Sequence, residues 1–303
     1  MKKEKRNGIT IYHVDKLIPD EKMEKLVSHK VNSNQINLII EEDSDVYTDD
    51  GKLLLKFRKN VLPKNNIENF YDNIISFSNT GTTNRSLASG NKGTKINNNN
   101  NLKIKTNIIG YFDIFSPMQK YLFKKKGLKT PLEVRESRFT SDYPEKYKKT
   151  IPLIQDINLL YKKYIPICYE KQFKKARQTP FKISNTAFTT VTTNVNFQTM
   201  IHKDKGDDIE GFGNLTVIEH GKYSGAETCF PQYGIGVNVR TGDILFMDVH
   251  QYHGNLPIIK EDSESIRLSI VCYLRHNVWI RSKNKTKKFL IQHNKTVRKI
   301  KKH

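Results

Sequence analysis

The sequence predicts an α+β protein whose core is a double-sheet jelly roll, or cupin-like barrel, braced on one outer face by helices from the first half of the chain. Three observations predict it. From about Phe181 the texture is β: Thr189 to Phe197 is rich in β-branched residues, and Asn214 to Glu219, Gly236 to Val239, Ile244 to Val249 and Ile266 to Leu274 follow as short strand-like runs. Turn signals separate these runs, with Arg240-Thr-Gly-Asp243 reading as a hairpin turn between two of them. Before Phe181, most apolar residues recur at helical spacing instead.

Taken in order, residues 8 to 14 alternate like a strand, and Asp20 is placed to cap a helix running to about Val31, with Met23, Leu26 and Val27 on one face. Residues 36 to 40 form a short apolar run, and Lys52 to Arg58 reads as a strand. Asn65 to Phe77 carries Ile67, Phe70, Tyr71, Ile74 and Ile75 at helical spacing. Asn79 to Gly90 is polar with one cation, Arg85, and reads as a surface loop or a substrate-contacting one; Asn97 to Asn101 reads as part of a mobile insertion. Ser116-Pro117 opens a helix that Gly127 ends, with Met118, Tyr121 and Leu122 sharing a face. Residues 145 to 177 are expected to be helical, divided at Pro152 and Pro166, with Ile154, Ile157, Leu160, Tyr161 and Tyr164 buried. The polar side of that stretch (Lys162, Lys163, Lys171, Lys174, Lys175, Arg177) is a solvated face or part of a phosphate-binding surface.

Composition narrows the class. The 303 residues are 36% hydrophobic and 27% charged, as in a soluble globular protein, and no apolar run approaches the roughly 20 residues of a membrane span. The basic start carries no apolar segment after it, so no secretory signal is read. Cys168, Cys229 and Cys272 form no CxxC pair, which argues against a disulfide scaffold or zinc module and for a reducing, intracellular setting, nuclear or cytoplasmic and not secreted. The net charge of +21 favours polyanions, of which nucleic acids are the abundant class.

The chemistry concentrates at Met200-Ile-His-Lys-Asp-Lys-Gly-Asp-Asp208. In extended backbone, side chains at i and i+2 leave the same face, so His202 and Asp204 present an imidazole and a carboxylate side by side. That is two thirds of a 2-His-1-carboxylate iron site. The third ligand is sought among His220, His250, His253 and His276. His220 falls at a turn tip and His276 past the last strand. His253 is favoured, at a strand end where the chain turns through Gly254; His250 is read as a packing or ligand-orienting residue. Three protein ligands leave about three positions on an octahedral iron for oxygen chemistry. The electron source expected at such a site is 2-oxoglutarate, whose far carboxylate needs a fixed cation. Arg267, 14 residues after His253 on the last strand, is the candidate, with Ser269 on the same face; alternation also permits Arg267 to face solvent.

At these residues the chain resembles a known family. Asn194 to Asp207, Gly211 to Glu219, Phe230 to Gly234 and Gly242 to Pro257 look like the dioxygenase domain of the TET/JBP family, closer to the thymine hydroxylases of the J-binding proteins. Asn84 to Gly90 and Ile108 to Asp113 look familial more weakly. The resemblance implies a double-stranded β-helix, Fe(2+) on His202, Asp204 and His253, 2-oxoglutarate on Arg267, O2 as co-substrate with ascorbate as a candidate reductant, and oxidation of a pyrimidine 5-methyl group in DNA. A base inside a duplex must be flipped out, or be single-stranded already, to reach such a site. Phe212 and Tyr233 are candidates to stack on it or to pack in the core. Alternatives are a 2-oxoglutarate oxygenase acting on RNA, protein or free nucleobase, and an inactive nucleic-acid-binding relative. The expected organisation is a single dioxygenase domain over residues 1–280 (helix-rich to about 180, β-helix core about 181–280, insertion about 91–103) and a basic C-terminal tail over 281–303, holding ten Lys or Arg. No cysteine-rich zinc region or separate J-binding domain is read in this sequence, so targeting is expected from the domain or the tail. No membrane and no obligate protein partner is expected. Lys203 should point away from the iron, and Lys205 to Asp207 should open a loop at the pocket mouth.

Overall fold

The computed structural model describes residues 1–81, 104–115, 117–127 and 132–301. The Arg85 loop, the asparagine insertion and Ser116 lie outside the described residues. Two compact units divide the chain. The first comprises residues 1–107, 193–205 and 212–271, and the second 108–192, 206–211 and 272–303.

The strands are β1 (Lys2–Arg6), β2 (Ile9–Val14), β3 (Leu38–Ile40), β4 (Ser44–Thr48), β5 (Leu53–Arg58), β6 (Thr106–Phe112), β7 (Arg135–Glu136), β8 (Thr190–Val195), β9 (Gly213–His220), β10 (Tyr223–Gly225), β11 (Thr228–Phe230), β12 (Ile235–Val237), β13 (Ile244–Met247), β14 (Gly254–Asn255), β15 (Ile258–Lys260) and β16 (Ile266–Tyr273). The α-helices are α1 (Asp20–Lys25), α2 (Lys64–Ser78), α3 (Pro117–Lys125), α4 (Arg138–Asp142), α5 (Pro144–Tyr164), α6 (Pro166–Ala176), α7 (His276–Ser282) and α8 (Lys287–Lys301).

In the first unit, one sheet runs β1-β2-β4-β5-β13-β9-β16-β8 and a second runs β14-β11-β12-β3. Their facing side chains form one core. Val46, Leu55, Phe57, Leu215, Val217, Leu245 and Met247 of the large sheet meet Ile40, Phe230, Ile235 and Val237 of the small one. Two sheets sharing one apolar layer are the expected double-sheet roll, and the alternating burial of β2 shows the period of two that builds it.

Several elements differ from expectation. Arg240-Thr-Gly-Asp243 is a turn, closed by the Asp243 amide on the Arg240 carbonyl at 3.0 Å, but not a hairpin. The strands it joins lie in different sheets, β12 pairing with β11 and β3, and β13 with β5 and β9. The turn therefore carries the chain between the layers. The first sixty residues, expected within a helix-rich part, hold five strands. β1 (Lys-Lys-Glu-Lys-Arg) pairs with β2 through Asn7-Gly8, both at positive φ (52° and 79°), the backbone a two-residue hairpin turn demands. α1 stops at Lys25 rather than Val31. Asp20 does not cap it but accepts a hydrogen bond from Gln232, while Met23 is buried with Leu26 and Val27 packed beside it.

The second unit holds the long helices. Pro166 divides α5 from α6 as expected, whereas Pro152 lies inside α5 without ending it. Leu153, Ile154, Ile157 and Tyr161 form the buried stripe of α5. In α3 Phe123 is buried and Leu122 packs beside it, whereas Tyr121, expected on the same face as Leu122, is 57% exposed. The segment expected as a basic tail is not one. Residue 280 lies inside α7, and α8 packs Phe289 and Leu290 on Tyr111, Val134 and Phe181, and Val297 on Phe115 and Phe123. Lys287, Lys288, Lys295 and Lys299 are exposed, while Phe289 and Leu290 are half-buried and Val297 is buried.

Candidate metal centre

Residues 199–204 run extended but outside any regular strand. His202 meets His253 in an isolated antiparallel bridge, each amide donating to the other's carbonyl at 2.9 and 3.0 Å. Directly opposed residues of an antiparallel pair project side chains from the same face. The two imidazoles therefore sit together, ring centroids 4.4 Å apart. The Asp204 amide donates to the Val249 carbonyl at 2.9 Å, bringing its carboxylate to both rings: 3.5 Å to Nε2 of His202 and 3.6 Å to Nε2 of His253. One ligand atom from each of the three lies within 4.8 Å of the others.

The tautomers follow from the backbone. Nδ1 of His202 is 2.7 Å from the Met200 carbonyl, and Nδ1 of His253 is 2.9 Å from the Gln251 carbonyl. A carbonyl only accepts, so each Nδ1 carries the hydrogen and each Nε2 presents a lone pair to the shared space. Both imidazoles are buried, and Asp204 is half-buried. Burial alone would raise the Asp204 pKa, but the two imidazoles outweigh it and hold the carboxyl well below its usual range. Burial would likewise depress His202, yet the Asp204 carboxylate raises it. Two neutral-donor imidazoles and an ionised carboxylate around one small volume fit a divalent iron.

Gly254 has a different role from the one expected. It does not turn the chain: it lies in β14, where a Cβ would stand 2.9 Å from Val31 Cγ2 and 3.1 Å from the Thr199 carbonyl oxygen. The close approach of two backbones requires glycine there. Ahead of it, Asp248 accepts from the His250 amide and the Gln251 side chain, shaping the turn whose Val249 and Gln251 carbonyls hold Asp204 and His253. His250 is half-buried and supplies no ligand atom to the cluster. His220 is exposed, stacked on Tyr71 at 3.9 Å, and His276 opens α7. Lys203 points away from the ligands as expected, its ammonium 3.9 Å over the Tyr252 ring.

Arg267 is buried at 4% exposure, not facing solvent, and Ser269 shares its burial. Asn196 clamps the backbone of Arg267 from both sides: its side chain accepts from the Arg267 amide at 2.7 Å, and its amide donates to the Arg267 carbonyl at 3.0 Å. Ser269 Oγ accepts from Asn194 at 3.2 Å. Among the described residues, no carboxylate forms an ion pair with Arg267. Burial pushes the guanidinium pKa down, and the phenol of Tyr223 offsets part of that. Tyr223 Oη is itself buried without a well-aligned hydrogen bond among the described residues, and the charges of Arg267, Glu219 and Arg240 all act on it. A buried cation with no carboxylate in ion-pair range among the described residues, beside a buried hydroxyl, has the chemistry to receive a carboxylate. Tyr223 was not legible in the sequence, where it lay in a stretch read as a turn.

Of the two roles expected for Tyr233 and Phe212, core packing is the one their burial fits. Tyr233 is buried in the core, its hydroxyl donating to Gln251 at 3.2 Å, and Phe212 is only 9% exposed. In the second unit, Asp207 faces Arg275 at 3.9 Å, while Asp208 is buried and accepts from Lys175 at 2.5 Å. Arg275 also donates to Asp113 at 2.9 Å, and a side chain at Gly206 would collide with its guanidinium. Asp207, expected at the start of a loop at the pocket mouth, is thus engaged in an ion pair.

A two-sheet roll carrying a His-x-Asp…His cluster defines the class of non-haem iron oxygenase folds. Residues 121–276 match the Tet_JBP family, the oxygenase domain of the 2OGFeDO superfamily, and the chain belongs to that family. It is 30% identical over 177 residues to the bifunctional helicase and thymine dioxygenase JBP2 of Leishmania tarentolae, covering 58% of this chain and 15% of that protein. It is 32% identical over 176 residues to JBP2 of Trypanosoma cruzi (57% and 15%), and 30% identical over 170 residues to the thymine dioxygenase JBP1 of Trypanosoma brucei brucei (55% and 19%). The chain thus spans under a fifth of the length of these relatives. A solved structure of NgTET1 in complex with 5mC DNA shares the fold, with TM-score 0.55 and 14% identity over 92% of this chain and 100% of that one. Among the described residues, no helix is long and apolar enough to cross a membrane.

Proposed function

We propose that the chain is an Fe(II)- and 2-oxoglutarate-dependent dioxygenase that hydroxylates the 5-methyl group of thymine or 5-methylcytosine in DNA. The observation that carries this reading is the union, in one unit, of the His202–Asp204–His253 cluster with a buried Arg267 lacking an anion. Bound Fe(II) and 2-oxoglutarate would supply the oxidising power: one oxygen atom of O2 enters the methyl C–H bond, and the other leaves in succinate as CO2 is released.

The chain's own part is to bind and orient. His202 and His253 hold the metal through Nε2, their rings fixed by the Met200 and Gln251 carbonyls, and Asp204 adds the anionic ligand. Arg267 and Tyr223 receive the far carboxylate of the co-substrate, in register because Asn196 fixes the Arg267 backbone. The burial of both imidazoles limits water at the centre. The thymine dioxygenases JBP1 and JBP2, and the NgTET1 complex with 5mC DNA, support a methylpyrimidine in DNA as substrate. Incubation with DNA, Fe(II), 2-oxoglutarate and ascorbate, followed by mass spectrometry of the nucleosides, tests it. Hydroxymethylated base is expected in step with succinate; succinate formed only with RNA, protein or free nucleobase would overturn the DNA assignment.

A further inference from the structure

The second unit contains a cleft of about 800 Å³ that owes nothing to the metal centre. Residues 177–185, after α6, form one wall, and residues 285–291, leading into α8, form the other; Tyr111 and Tyr147 complete the lining. Four cations line it: Arg177, Lys182, Lys285 and Lys287. No carboxylate lines it, and among the described residues none of the four makes an ion pair. Elsewhere in the unit Lys171 and Lys175 pair with Glu210, Lys120 with Glu133 and Arg298 with Glu136, while Lys162 and Lys174 form no ion pair among the described residues; the cleft is where four such cations share one lining.

The cations are held near one another. Arg177 and Lys182 both lie over the Phe173 ring, at 5.4 and 5.8 Å, and Lys285 lies over Phe289 at 5.2 Å. Lys182 is pushed towards its neutral form by burial and by the charges of Arg177 and Lys287. The walls are pinned together at their base by the Asn284 amide on the Gln178 carbonyl (2.9 Å) and by Thr179 Oγ1 with Ser282 Oγ (2.5 Å). α8 begins here with Lys287 and Lys288 and no acid in its first turn, and Thr286 Oγ1 caps its Phe289 amide at 3.1 Å. The exposed Ser184 and Asn185 add neutral polar groups to the lining.

We infer that this cleft is a phosphate-binding site that seats the sugar–phosphate backbone of DNA. Four unpaired cations on pinned walls match a row of phosphodiesters better than one compact anion, because the cleft is open and most of these side chains are exposed. The choice of DNA as the source of phosphate rests on the proposed function; the charge arrangement does not.

The test uses the full chain with Lys182, Lys285 and Lys287 all changed to Gln, alongside the matching triple Arg variant. A control triple changes Lys2, Lys3 and Lys5, on the exposed edge strand β1, to Gln. Duplex affinity is read by fluorescence anisotropy across a salt series. The cleft Gln variant should bind at least about tenfold more weakly at 0.1 M salt, with the slope of log K against log salt flattened by about 2.7, roughly 0.9 per lost phosphate contact. The Arg variant should keep the slope, and the β1 control should lose far less. Equal slopes for the cleft variant and the control would overturn the inference. So would competition by millimolar inorganic phosphate with no response to DNA, which would leave a small-anion site. The two readings separate cleanly: a flattened slope with no hydroxymethylated base sinks the activity and keeps the cleft, while hydroxylation with an unchanged slope does the reverse.

Discussion

Replacing Arg267 with Met should make the free protein more stable and the co-substrate bind worse. The guanidinium is 4% exposed and has no carboxylate partner among the described residues. Carrying an uncompensated charge out of water costs several kcal/mol even after relaxation, and an apolar side chain of similar volume removes that cost. Loss of the Arg267 packing takes back part of the gain, leaving about 1–3 kcal/mol of net stabilisation. For a unit of this size that raises the thermal midpoint by roughly 2–4 °C per kcal/mol. Binding moves the other way. Truncating one partner of a buried charged pair costs about 2–5 kcal/mol, a weakening of roughly 30- to 4,000-fold in the 2-oxoglutarate Kd. Calorimetry without ligand and titration of 2-oxoglutarate into the metal-loaded protein read the two effects separately. Tyr223→Phe should weaken the same titration by about 1 kcal/mol. A less stable Arg267→Met protein with unchanged 2-oxoglutarate affinity would refute the reasoning, since the guanidinium would then be a structural cation.

Three further outcomes follow from other parts of the molecule. Asp204→Ala should abolish stoichiometric Fe(II) binding and lower succinate formation by at least about a hundredfold, with circular dichroism unchanged; full metal occupancy in that variant would dismiss the carboxylate as a ligand. Gly110 sits at φ +82°, where a Cβ would lie 2.6 Å from the Thr189 carbonyl oxygen and 2.8 Å from Ile183 Cδ1. Gly110→Ala should therefore cost about 2–5 kcal/mol, and a denaturation midpoint within error of the parent would contradict that placement. Burial pushes the Cys229 thiol up to about 12 and raises that of Cys272 as well, so neither ionises at pH 8; an alkylating reagent should label half-buried Cys168 first, and prior labelling of Cys229 would contradict its burial.

The candidate site was more legible than the connections around it. His202 and Asp204 announce themselves because a period of two needs no long-range information, and His253 and Arg267 lie at strand positions that the same period marks. What local pattern lacks is partner choice. Gly236 to Val239 and Ile244 to Val249 read as a hairpin because they are adjacent, yet they belong to different sheets. Gly254 reads as a turn because glycine usually marks one; its reason is a backbone 50 residues away pressed against it. Tyr223 gains its meaning only beside Arg267. The Asn7-Gly8 signal was present and passed over because the strand before it is wholly charged, a composition that suits an exposed edge. α8 reads as a tail because its basic residues, Lys and Arg together, outnumber its apolar ones, but Phe289, Leu290 and Val297 suffice for one packed stripe. Deleting residues 281–303 would consequently strip packing as well as charge, which is why charge-only substitutions are the informative ones.

The central claim is tested most directly by mass spectrometry of nucleosides from DNA incubated with the protein, Fe(II), 2-oxoglutarate and O2. The account predicts a hydroxymethylated pyrimidine that accumulates in step with succinate and disappears in His202→Ala. Succinate released in the presence of another substrate, with no hydroxymethylated base in DNA, would contradict it.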